Sequence, residues 1–328
     1  MNGPVPDIFF YEAFEEEAAC LRREARRAGV CIDLTPLTLQ EAAHSSPPAP
    51  VISVRTQSRL PLDWAPHLRG ILSRSTGHDH LLAYRVALAP ASAPALGYLP
   101  CYCVRAVAEQ ALLLMLALAR RFPRQMVQFD TFNRDHLTGL ELAGKTLAIF
   151  GVGRIGHEMA VIATALGMRV LGVDPVQRHS DIRYVPPAAA LEVADILLCA
   201  MNLTPENRGY FSDALLRTAR RKPLLVNISR GECTPALALE LALESGWISG
   251  AALDVHNEES TLAPALRTHT PAALTDDNRA LLRLHSRPDV ILTPHNAFNT
   301  AEAVERKSAQ SIQSLQHFQT TAAFPWPV

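Results

Sequence analysis

Three stretches of the chain place polar side chains where an apolar run has just ended. Asn227-Ile-Ser-Arg230-Gly231 follows Pro223-Leu-Leu-Val, and Asp254-Val-His-Asn-Glu258-Glu259 follows residues 248–253. Thr293-Pro-His295-Asn-Ala-Phe298 follows Val290-Ile-Leu. In an open α/β sheet, ligands sit beyond the carboxyl ends of the strands, so side chains placed in this way converge on one crevice. An arginine, a carboxylate and a histidine there suit one chemistry. The guanidinium grips a carboxylate with two parallel hydrogen bonds and polarises a neighbouring carbonyl. The imidazole donates a proton to the carbonyl oxygen as hydride arrives, and removes it in the reverse direction. A carboxylate beside the imidazole fixes its tautomer and raises its pKa towards working pH. Taken singly, each residue has an ordinary explanation: a solvated arginine, a structural histidine, an exposed acidic loop.

A glycine motif gives the three a common purpose. Gly144 opens the β-prone stretch Lys145-Thr-Leu-Ala-Ile-Phe150, which runs into Gly151-Val-Gly153-Arg154-Ile155-Gly156. Residues 155–166 have helical composition, and the strand-like Arg169-Val-Leu-Gly-Val173 ends on Asp174, eighteen residues beyond Gly156. Strand, glycine turn, helix, strand and acid in this order form a dinucleotide-binding unit. Gly151 allows the tight turn, Gly153 admits a pyrophosphate to the backbone N–H groups, and Gly156 lets helix and strand pack closely. The helix N-terminus faces the phosphate charge. Asp174 is placed to accept hydrogen bonds from the adenosine ribose, and its charge opposes a 2′-phosphate, so the expected cofactor is NAD.

The elements that must hold these residues follow a βαβ rhythm. Strands are expected at 7–11, 30–34, 51–55 and 70–74 with a helix over 15–28, and again at 145–150, 169–173, 195–200, 223–228, 248–255 and 290–293. Helices are expected near 187–193, 212–219 and 235–245, the last started by Thr234 as N-cap with Pro235 in the first helical position. Residues 301–319 are helical in composition and long enough to return to the first domain. The fold class is therefore α/β, with two Rossmann-like or flavodoxin-like domains built on parallel sheets. The nucleotide domain (104–295) is inserted in a substrate domain (1–103 and 296–328). Residues 104–121 form a helix that is apolar on nearly every face, which suits either a core or a subunit contact.

Composition narrows the class. A chain of 328 residues, 48% hydrophobic and 19% charged, can bury two cores. A net charge of −1 with both signs dispersed gives no nucleic-acid or membrane footprint. Six cysteines are too few for a disulfide framework at this length, and no metal is expected. The longest fully apolar run, 111–119, falls well short of the ~20 residues that span a bilayer. Residues 1–7 lack a secretory signal pattern, so the expected location is cytoplasmic.

With these residues in view, the chain resembles the D-isomer-specific 2-hydroxyacid dehydrogenases, most strongly over 74–300. Asn-Ile-Ser-Arg-Gly looks like that family's catalytic-arginine motif, which implies Arg230. The glutamate that follows a Gly-x-x-x-Asp-Val segment implies Glu259 rather than Glu258, and Thr-Pro-His implies His295 as acid and base. The resemblance also implies NAD contacts at Arg154, Ile155, Asn202, Asn207, Ile228 and Asp254. Substrate contacts are implied at the Thr76-Gly77 backbone and at Tyr102 and Phe298, which match aromatic positions of D-lactate dehydrogenase-like members. Arg105 stands where a small polar residue is common and is expected to add positive charge near the substrate entrance. Residues 260–289 have no assigned role. The implied activity is interconversion of a small 2-keto acid and its D-2-hydroxy acid by a homodimer. The alternatives on the same scaffold are a phosphite dehydrogenase, a hydroxypyruvate/glyoxylate reductase, or an NAD(H)-sensing corepressor. The complete arginine, glutamate and histidine set favours catalysis.

Overall fold

The computed structural model describes residues 5–88, 93–270 and 274–328. Residues 1–4 of the N-terminal stretch and 271–273 of the unassigned segment lie outside the described residues. In chain order the elements are β1 (Ile8–Phe10), α1 (Glu15–Ala28), β2 (Ile32–Leu34), α2 (Leu39–Ala42), β3 (Val51–Val54), β4 (Gly70–Ser73), α3 (Asp79–Ala87), β5 (Ala95–Tyr98), α4 (Val104–Ala119) and α5 (Phe122–Gln128). They continue with β6 (Thr146–Phe150), α6 (Arg154–Ala165), β7 (Arg169–Val173), β8 (Arg183–Tyr184), α7 (Pro187–Val193), β9 (Ile196–Cys199), α8 (Asp213–Leu216) and β10 (Leu224–Asn227). The last elements are α9 (Ala236–Glu244), β11 (Gly250–Leu253), α10 (Glu259–Arg267), α11 (Asp276–His285), β12 (Val290–Leu292) and α12 (Ala301–Thr321). The chain divides into two compact units, Met1–Cys103 with Asn299–Val328, and Val104–Phe298. It re-enters the first unit at Asn299, three residues beyond the expected return at 296. No described helix is long and apolar enough to cross a membrane.

The first unit holds a five-stranded sheet in the order β2-β1-β3-β4-β5, with every pairing parallel. Strands β1, β3 and β4 are buried along their whole length, as expected of a parallel sheet covered on both faces. Helix α1 carries three glutamates in its first turn and two arginines in its last, matching the helix dipole, and ends on Gly29 at φ 67°. It packs on α12, and a charge cluster is buried in this unit. Glu17 Oε1 accepts from Arg74 Nε at 2.8 Å and lies 3.0 Å from Lys307 Nζ, with all three side chains fully buried. Arg74 also donates to Ser53 Oγ and to the Tyr11 carbonyl. Burial alone would raise the Glu17 carboxyl, but the neighbouring cations outweigh it and hold the group at about 2.

The second unit holds a seven-stranded parallel sheet, β12-β11-β10-β9-β6-β7-β8. Strand order reverses between β6 and β9, so a binding crevice opens at their carboxyl ends. Phe150, Leu197, Leu225 and Ala251 from the strands and Leu191, Leu239 and Leu281 from the helices share one core. Helix α4 turns Val107, Ala111, Leu114 and Leu118 inward against α6, β10 and β11, while Leu113 and Leu116 stay exposed. One local expectation is corrected. Helix α9 starts at Ala236 with Pro235 as its N-cap and no side-chain cap. The Thr234 hydroxyl is engaged by Asn227 instead. The segment without an assigned role forms α10 and α11, the latter capped by the Thr275 side chain.

Candidate active site

The loop after β10 is shaped by Asn227, which is wholly buried. Its amide nitrogen donates to the Arg230 carbonyl at 2.8 Å and to Thr234 Oγ1 at 2.8 Å. Its amide oxygen accepts from the Ser229 N–H at 2.9 Å and the Ser229 hydroxyl at 3.0 Å. One side chain thus closes the turn and sets the backbone of Arg230, whose guanidinium donates to the Ser229 carbonyl at 2.9 Å. Gly231 is glycine for a packing reason. A Cβ there would run into the backbone of His256 and Asn257, so the loops after β10 and β11 lie directly on one another.

His295 follows β12 in the left-handed region, at φ 52°. That conformation costs energy in a non-glycine residue and persists only where neighbours enforce it. Here the enforcing group is Asp254, fully buried at the end of β11. Its carboxylate accepts from Thr293 Oγ1 at 2.6 Å, the Asn296 N–H at 2.9 Å and the Ala297 N–H at 2.8 Å, bracketing the histidine on both sides. His256 adds a brace from the β11 loop, its Nε2 donating to the Thr293 carbonyl at 2.9 Å.

Glu259 opens α10 and meets His295. Nδ1 of His295 lies 2.6 Å from Oε2 of Glu259, with both side chains mostly shielded from solvent. The other oxygen, Oε1, accepts from the His256 N–H at 3.0 Å. Burial pushes the Glu259 carboxyl up, but the His295 charge and hydrogen bond outweigh it, and with the His256 N–H they hold the group at about 2. An ionised carboxylate only accepts, so Nδ1 carries the proton of this contact and Nε2 is the ring nitrogen left for chemistry. Glu258, beside it, is exposed. The fold brings together two of the three residues expected to carry the chemistry, and it packs the loop bearing the third against theirs.

The glycine loop has the geometry of a phosphate cradle. Gly151 sits at φ 93°, and a Cβ there would lie 2.6 Å from the Met201 nitrogen. A Cβ on Gly156 would run into the Gly151 carbonyl. Around Gly153 a Cβ meets nothing within 4 Å, so space is kept open at the start of α6, where Arg154 and Ile155 present their N–H groups. Asp174 accepts from the Val152 N–H at 2.8 Å and from the Val176 N–H at 2.8 Å, which fixes the acid against that loop. Asn207 accepts from the Thr204 N–H at 2.8 Å and donates to the Asn202 carbonyl at 2.6 Å, so these two expected contacts shape one turn. Ile228 is buried directly after β10.

Thr76, Gly77 and Tyr102 belong to the first unit. Thr76 Oγ1 donates to the Leu99 carbonyl at 3.2 Å, and the Gly77 carbonyl accepts from Ser75 Oγ at 2.7 Å. Tyr102 is buried, with its hydroxyl 3.4 Å from the Arg74 carbonyl, and burial pushes the phenol well above its ordinary value. Phe298, in the second unit, is also buried. Arg105 departs from expectation: Glu109 at 2.6 Å and Glu158 at 3.0 Å meet its charge. Sequence reasoning missed Asn227, Gly231 and His256 as positioning residues. Their only signal was a polar or conformationally free residue type bordering an apolar run.

Comparison with known proteins agrees with this geometry. The NAD binding domain of the D-isomer specific 2-hydroxyacid dehydrogenases matches residues 112–297. D-lactate dehydrogenase of Escherichia coli (strain K12) is 31% identical over 232 residues, which cover 69% of this chain and 69% of that protein. Glyoxylate reductase of Korarchaeum cryptofilum (strain OPF8) is 31% identical over 269 residues, covering 77% and 74%. The crystal structure of D-lactate dehydrogenase from Aquifex aeolicus complexed with NAD and lactic acid aligns with a TM-score of 0.84 at 25% identity over 96% of each chain. The chain belongs to the D-isomer specific 2-hydroxyacid dehydrogenase family. It is an NAD-dependent oxidoreductase acting on CH–OH donors, and its glycine cradle and Asp174 fit that cofactor.

Proposed function

We propose that the protein interconverts a small 2-keto acid of the pyruvate class and its D-2-hydroxy acid, with His295 as the general acid and base. The observation that carries this reading is the 2.6 Å contact between His295 and Glu259, which leaves Nε2 for the substrate oxygen. NADH, when held by the glycine loop and Asp174, would supply the hydride. The His295 ring delivers a proton to the carbonyl oxygen, and Glu259 stabilises the imidazolium from which that proton leaves. Arg230 binds the substrate carboxylate and polarises its carbonyl. Arg154 and Ile155 serve the pyrophosphate and Asp174 the ribose, while Asn202, Asn207, Ile228 and Asp254 frame the remainder of the cofactor. Thr76, Gly77, Tyr102 and Phe298 keep the substrate-binding roles implied by the resemblance. The active form is a homodimer, and the six unpaired cysteines suit a cytoplasmic enzyme.

A second reading, a glyoxylate-type substrate, takes support from the relative of that name. The test follows NADH absorbance against pyruvate, 2-oxobutyrate, phenylpyruvate, hydroxypyruvate and glyoxylate. Highest kcat/KM with pyruvate or 2-oxobutyrate supports the first reading, and preference for glyoxylate or hydroxypyruvate selects the second. Tight NADH binding without turnover of any of them would overturn both.

A further inference from the structure

A cluster that the proposed chemistry does not use lies next to the glycine loop. His157 is in the first turn of α6, three residues after Arg154, and His179 and Asp181 lie in the loop between β7 and β8. His157 Nε2 is 2.9 Å from Asp181 Oδ2 and 3.2 Å from Oδ1. The His157 and His179 rings stack with centroids 3.8 Å apart and planes 9° from parallel. One donor atom from each of the three residues lies within 4.8 Å of the others.

A histidine–carboxylate hydrogen bond needs only one imidazole. The stacked second ring brings another nitrogen to the same place, and two imidazoles with a carboxylate are a donor set of first-row transition metals. Calcium and magnesium prefer all-oxygen sites, so the nitrogen donors select against them. Tetrahedral ligands about 2.1 Å from a zinc-sized ion lie about 3.4 Å apart. Binding therefore requires the donor atoms, now within 4.8 Å of one another, to draw in and the stacked rings to tilt until both nitrogen lone pairs face one ion. Both histidines are partly exposed and Asp181 is exposed, so an ion can enter from solvent.

We propose that His157, His179 and Asp181 form a binding site for one divalent transition metal of the zinc class, with solvent completing its coordination. The metal is not part of the hydride chemistry. It joins the first turn of α6, which carries Arg154 and Ile155, to the loop that follows Asp174. It therefore stiffens the frame around the dinucleotide, a consequence that rests on the NAD-binding role of that frame.

The test uses full-length protein stripped with a chelator and kept reduced. Cobalt(II) is added and its visible d–d absorption followed, and zinc is then added to displace it. One cobalt per chain is expected, without the near-ultraviolet charge-transfer band that thiolate ligands give. The single variants His179→Asn and Asp181→Asn are each expected to weaken binding at least about tenfold, and the pair His157→Asn/His179→Asn to abolish it. Circular dichroism checks that these substitutions leave the fold intact. No cobalt or zinc binding by the unsubstituted protein overturns the site, as does a thiolate band or binding that survives in the double variant. NADH affinity, read by fluorescence, should rise severalfold on zinc loading in the unsubstituted protein and not in the double variant. Equal affinities would overturn the stiffening.

Discussion

At the scale of single residues, the chemistry depends on which groups are held and which are presented. Nδ1 of His295 is committed to Glu259, so replacing His295 by alanine removes the proton donor without touching the cofactor frame. The expected loss is ~10²–10⁴ in kcat with NADH affinity unchanged, measured by steady-state rates beside fluorescence titration. Unchanged keto-acid reduction would remove His295 from the mechanism. Glu259→Gln keeps the size but loses the charge that favours imidazolium. The rate of keto-acid reduction should fall in this variant while NADH affinity holds, measured in the same way. Stability carries its own signature. The carboxyl is held at about 2 against an ordinary 4.5, so its contribution is present above 4.5 and is lost as pH falls towards 2. Acid unfolding of Glu259→Gln should lack that part of the slope. Arg230→Lys replaces a planar fork by a point charge and should lower kcat/KM for a keto acid severely while NADH still binds.

Elements explain why those residues are where they are, and why only part of this is legible in the sequence. Most of the parallel strands were readable because they are largely apolar runs with a polar stop, whereas the two-residue β8, Arg183–Tyr184, has no such pattern. The carboxyl ends of β10, β11 and β12 carried Arg230, Asp254 and His295 in plain view. Strand β5 was not readable, because Ala95-Leu-Gly-Tyr98 is short, contains glycine and is buried by neighbours distant in sequence. The hydrogen bonds of Asn227 and Asp254 were hidden for a similar reason, since their partners are defined by loop closure rather than by spacing. The joint between α1 and α12 is the strongest case. Glu17 and Lys307 looked like ordinary helix-surface charges, yet with Arg74 they form a wholly buried ionic cluster. Burial, with Arg55 and Arg74 nearby, pushes the Lys307 amine below its ordinary value, and Glu17 opposes that shift. Removing the one acid leaves buried cations without their counter-charge. Glu17→Gln should therefore cost about 3–5 kcal/mol in denaturant unfolding, whereas Lys307→Met, which keeps the volume and discards a costly charge, should cost far less. Equal losses would mean that packing, not charge, holds this joint.

For the whole molecule, the question is how many chains act together. The outer face of α4 and the residues that follow it are unusually apolar for a surface. Phe122, Met126, Val127, Phe129 and Phe132 are each between 51% and 75% exposed, and Leu113 and Leu116 extend the same run of exposed apolar residues. Soluble monomers rarely leave so many large apolar groups near one another in water, and an exposed apolar patch of this kind is a usual seam of a two-fold dimer. The face of α4 that packs on the sheet is separate from it, so charging the patch should not disturb the core. Sedimentation velocity should accordingly find a dimer at micromolar concentration. Val127→Glu combined with Phe129→Glu should shift it to monomer, with circular dichroism and NADH binding retained because the glycine cradle lies in other elements. A monomeric parent protein would refute the dimer, and a dimer that survives both charges would move the seam away from this patch. If keto-acid turnover falls with the loss of the dimer while NADH still binds, assembly supports turnover of the keto acid rather than the cofactor frame.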